Sequence, residues 1–106
     1  MKLIDVTNSY PDLVSQQLDS TDATFIRVFT LGKSSVIYTE APTHKEILIT
    51  NKQRNIKQDE IQAVMRRLIK TEQEEHTLNM LQMDGIVEIS IPVTQELEEE
   101  SISVSQ

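Results

Sequence analysis

The chain has 106 residues, 38% hydrophobic and 25% charged, with a net charge of -7 and no cysteine. A chain of this size and composition is expected to form one soluble domain with a single core. Its lack of cysteine excludes disulfides, thiolate metal sites and cysteine nucleophiles, and its acidity disfavours sequence-independent nucleic-acid binding, which rests on many Lys or Arg contacts to phosphate.

The N-terminus meets an acid at Asp5 and lacks the apolar run of a signal peptide, and no stretch approaches the roughly 20 apolar residues that span a bilayer. A cytoplasmic protein with no membrane contact is expected. Residues 2–6 alternate and predict a first strand, ending at Thr7-Asn8-Ser9. Asn8 or Ser9 is expected to cap a helix with Pro11 in its first turn, Asp12 at its positive end and Leu13, Val14, Gln17 and Leu18 at helical spacing.

Residues 23–31 carry large apolar groups on both faces and predict a central strand. Gly32-Lys33 makes a tight turn into a partner strand over 34–40. Ala41-Pro42-Thr43 breaks the pattern before a further strand over 45–50. After a polar stretch over 51–57, Asn55 and Gln58 are spaced as a capping box, and Ile61, Val64, Met65 and Leu68 mark one helical face. One unbroken helix from 58 to 83 would be about 39 Å long at roughly 1.5 Å per residue. That exceeds a domain of this size, and Glu72, Glu75, His76 and Asn79 interrupt the apolar stripe, so a break or bend is expected over 71–77. Asp84-Gly85 closes the helical region, and residues 86–91 alternate as a last strand before Pro92.

The order β-α-β-β-β-α-β predicts an α+β fold: a two-layer sandwich with a mixed, mostly antiparallel sheet and two helices on one face. The first β-α-β unit is expected to cross over right-handed, leaving its strands parallel. The domain is expected over 1–92. Residues 93–106 read as an acidic, Ser-rich tail without the apolar content to join a core, hence disordered.

Several stretches carry a resemblance: residues 1–10, 21–25, 38–44 (Tyr-Thr-Glu-Ala-Pro-Thr-His) and 50–56 (Thr-Asn-Lys-Gln-Arg-Asn-Ile). Over most of residues 1–70 the chain resembles small uncharacterised proteins of lactic acid bacteria, domain of unknown function 1827. The resemblance implies a small, stand-alone cytoplasmic bacterial protein and brings no activity, cofactor or site residues.

Charge is distributed unevenly. Residues 44–70 hold seven of the ten Lys and Arg, whereas residues 71–106 hold nine of the seventeen acids and no Lys or Arg. With the first strand parallel to 23–31, Asn8, Ser9, Lys33, Asn51, Lys52, Arg54 and Lys57 would gather at one edge of the sheet beside two helix N-termini, a candidate anion-binding edge. The plainer account is that these residues serve turns, caps and a solvated surface, since no Gly-rich phosphate loop accompanies them. Arg66, Arg67 and Lys70 extend the basic strip, but no aromatic residue lies among them to stack a base.

Glu72 and His76, four apart, have no identified third ligand, so no metal site is assigned. There is no G-x-S-x-G, no H-E-x-x-H and no carboxylate pair at a telling spacing; the reading leans against an enzyme, with no catalytic residue and no cofactor. Leu78, Met80, Leu81 and Met83 fail to continue the core stripe and are candidate partner contacts. The sequence therefore points to a non-enzymatic protein-interaction module whose partner is another protein or a second copy in a homodimer. The alternative is a small-anion or nucleotide-responsive module using the basic edge.

Overall fold

The computed structural model describes residues 2–93; the expected tail lies outside them apart from Val93. Strands β1 (Ile4–Asp5), β2 (Phe25–Leu31), β3 (Ser34–Glu40), β4 (His44–Thr50), β5 (Asn79–Met83) and β6 (Ile86–Pro92) form one sheet in the order β1-β2-β3-β4-β6-β5. Helices α1 (Pro11–Ser20), α2 (Gln58–Leu68) and α3 (Glu72–Thr77) and a 3-10 turn over Thr7–Ser9 complete the α+β fold.

Every pairing is antiparallel. The parallel crossover expected of the first unit is therefore corrected: Asp5 pairs with Phe29, and the Val6 amide donates to the Val28 carbonyl at 2.8 Å. The cause is local. The Asp5 carboxylate accepts from both the amide and the hydroxyl of Thr7, whose hydroxyl in turn accepts from the Val28 amide at 2.9 Å. This turns the chain beside β2 instead of carrying it across the sheet. Asn8 and Ser9 belong to that 3-10 turn, and Tyr10 occupies the N-cap of α1 without a side-chain cap bond, so neither caps the helix. Pro11 takes the first helical position as expected.

The core lies between one face of the sheet and α2. Phe29 and Leu31, Val36 and Tyr38, Ile47 and Ile49, and Val87, Ile89 and Ile91 project from alternate positions of β2, β3, β4 and β6 to meet Ile61, Val64 and Leu68, with Leu3 closing one side. The α2 spacing is that of a helix burying one stripe. Of the two longer helices only α2 packs on this cluster; α1 has no buried residue and lies beside β2 and the 3-10 turn.

The break after α2 comes at Ile69, slightly before the expected stretch. Thr71 then caps α3 by accepting from the Glu74 amide at 3.1 Å. The helix does not resume to Met83. Residues 79–83 form β5, joined to β6 by Asp84-Gly85, which is a hairpin turn and not a helix end. Alternation explains the change of period: Met80 faces the core, while Leu81 and Met83 face away.

Candidate functional site

Gly32-Lys33, residues 51–57, the start of α2 and Asp84-Gly85 gather at one end of the sheet. Asn51 organises them. Its Oδ1 accepts from the amides of Gln53 and Arg54 at 2.8 and 3.2 Å, its Nδ2 donates to Ser34 Oγ at 3.1 Å, and its own amide donates to the Gly85 carbonyl at 2.9 Å. Asn55, expected to cap α2, instead accepts from the Gly85 amide at 2.9 Å.

The anion held here is the chain's own Glu60. Arg54 donates to both carboxylate oxygens, at 2.7 and 3.1 Å; Ser34 Oγ donates at 2.8 Å, and the Lys57 amide at 3.0 Å. The last bond is half of a capping box, with Lys57 at the N-cap. The Arg54 guanidinium, helped by the Lys57 amide and Ser34, lowers the Glu60 carboxyl to about 2 against the opposing effect of burial. A carboxylate held so low is a poor proton acceptor at neutral pH.

This geometry divides the seven residues of the candidate anion-binding edge. Arg54 is spent on Glu60 and Asn51 on loop structure, while Lys33, Lys52 and Lys57 form no salt bridge among the described residues. Asn8 and Ser9 lie at the opposite end, beside Val28, in a cleft with Asp5 and Arg27. Glu60 and Ser34 escaped the sequence reading; the available signal was a Glu in the first turn of a well-marked helix, three residues after Lys57.

Near α3, Lys45 pairs with Glu74 at 2.7 Å, and Glu74 also accepts from the Lys70 amide at 2.8 Å. Burial raises the Glu74 carboxyl, but these bonds outweigh it and leave it lowered. Burial first, then its hydrogen bond to Glu40, raises the Tyr38 hydroxyl. No three His, Cys, Asp or Glu side chains converge on a possible metal position among the described residues. No helix among them is long and apolar enough to cross a membrane.

The four partner-contact candidates also divide. Leu78 and Met80 are partly buried against the core, whereas Leu81 is 53% and Met83 45% exposed. Both project from the face of the sheet opposite α2, where the register places Leu81 beside Glu88, and Glu88 beside Leu48. Strand β5 is an outer strand, and no strand among the described residues pairs with its far side. Its residues, Asn79-Met80-Leu81-Gln82-Met83, include no charge and no proline. Sheet edges usually carry such groups because unpaired N-H and C=O groups otherwise recruit another strand.

The family model described as "Domain of unknown function (DUF1827)" matches residues 1–92. A solved structure described as a conserved protein of unknown function from Streptococcus thermophilus LMG 18311 is similar, with a TM-score of 0.80 and 34% identity. The match covers 89% of this chain and 98% of that one. Among curated proteins, none matches the chain.

Proposed function

The chain belongs to the DUF1827 family, and on that premise we propose that it is a non-enzymatic module that binds another protein along β5 and the adjoining face of the sheet. The observation that carries this reading is an outer strand with neither charge nor proline and with two large apolar side chains in solvent. An added strand would satisfy the outward backbone groups of β5, while the side chains around Leu81 would select what binds.

The test compares capture from a lysate of the source cells by the wild-type chain and by Leu81→Lys, a substitution that places a common edge-protecting residue at an exposed position. A protein retained by the wild type and lost by the variant supports the reading. Equal retention by both contradicts it.

A second reading, a small-anion or nucleotide response, is favoured by the gathering of Lys33, Lys52 and Lys57 without carboxylate partners among the described residues. It requires a thermal shift with inorganic phosphate or a nucleotide that disappears in the Lys33→Ala, Lys52→Ala, Lys57→Ala triple variant.

A further inference from the structure

The face of the sheet opposite α2 carries a charge pattern that bears on the kind of partner, given the interaction reading above. Towards β5 the register places Glu46 and Leu48 of β4, Ile86 and Glu88 of β6, and Leu81 and Met83 of β5 on this face. No Lys or Arg occurs among these positions. Towards the free edge the surface is an apolar patch around two exposed carboxylates, Glu46 and Glu88. Glu46 lies 3.3 Å from the His44 ring, and Glu88 has no salt-bridge partner among the described residues.

We infer that the partner is an extended segment of a different protein, with apolar side chains alternating along one face and a Lys or Arg placed to meet Glu88. The spacing suits this. A residue on a strand added outside β5, facing Leu81, lies two strands from Glu88, roughly 10 Å away. A Lys or Arg there can lay its stem over Leu81 and bring its charge to the carboxylate. A second copy of this chain meets the requirement less well. Pairing β5 with β5 supplies no cation on this face, and stacking two such faces sets Glu46 and Glu88 against their counterparts.

The decisive experiment measures fluorescence anisotropy of two labelled nine-residue peptides with alternating Val and Thr, one carrying Lys and the other Glu at the same positions, alongside sedimentation velocity of the protein alone. The expected result is roughly five- to tenfold tighter binding of the Lys peptide at low salt, a preference that shrinks in 0.5 M salt and is lost in Glu88→Lys. Binding of both peptides lost in Leu81→Lys but indifferent to their charge would overturn this inference and leave the interaction reading standing. So would a dimer abolished by Leu81→Lys with no peptide binding, since the partner would then be a second copy. Neither peptide binding nor self-association would overturn both.

Discussion

The Arg54 guanidinium grips the Glu60 carboxylate at 2.7 and 3.1 Å, although Glu60 is only 2% exposed. The pair fastens the loop after β4 to the first turn of α2, and through Ser34 and Asn51 it reaches the β2-β3 turn. Arg54→Ala would leave the buried Glu60 carboxylate without its main partner and lower the stability of the fold. Urea unfolding should show a lower midpoint at unchanged slope. An unaltered midpoint would mean that the pair does not hold the loop.

The same pair predicts a pH dependence. The Glu60 carboxyl falls from 4.5 to about 2 on folding, because Arg54 stabilises its charged form. A folded value below the unfolded one gives a contribution that is complete above the unfolded value and is lost as pH falls towards the folded one. The stability gap between wild type and Arg54→Ala should therefore be constant near neutrality and narrow between about pH 5 and pH 2. A gap that stays constant through that window would contradict the assignment.

The two glycines should differ in their tolerance of alanine. Gly32 has a φ of 59° with open space where a Cβ would sit, so Gly32→Ala should cost only the left-handed backbone penalty, about 1 kcal/mol. Gly85 has a φ of 71°, and its Cβ would lie 2.7 Å from the Asn51 carbonyl oxygen. Thermal unfolding should place Gly85→Ala clearly below Gly32→Ala, because backbone cannot yield as a flexible side chain can.

Leu81 and Ile89 lie on adjacent strands but should respond oppositely. Ile89 is 1% exposed in the core, so Ile89→Ala should cost about 2–5 kcal/mol. Leu81→Ala, at an exposed edge, should stay within about 0.5 kcal/mol. Chemical denaturation of both variants checks the contrast, and a large loss at Leu81 would mean that it packs in the folded monomer.

Strands β2, β3, β4 and β6 and helix α2 were legible because their apolar residues repeat at the period of the element they form. Two errors had definite physical causes. Direct pairing of β1 with β2 depended on the Asp5-Thr7-Val28 hydrogen bonds, which no periodicity records, and that error carried Asn8 and Ser9 to the wrong end of the sheet. Residues 79–83 fall in the region that the sequence extends as helix to Asp84-Gly85. The competing alternation of Met80 with Leu81 and Met83 prevailed once β6 was available as a partner. Of the candidate positions, Lys33 and residues 51–57 do converge; the pairing of Arg54 with Glu60 required tertiary contact and could not be read from spacing.

A binding edge at β5 would have its outward backbone amides covered when a partner strand docks. Amide hydrogen exchange over Asn79–Met83, measured for the protein alone and with the Lys-bearing peptide, tests it most directly. Exchange in β5 should slow on addition of the peptide, while the first turn of α2 and the loop at Arg54 are unaffected. Unchanged exchange in β5 with new protection elsewhere would contradict it.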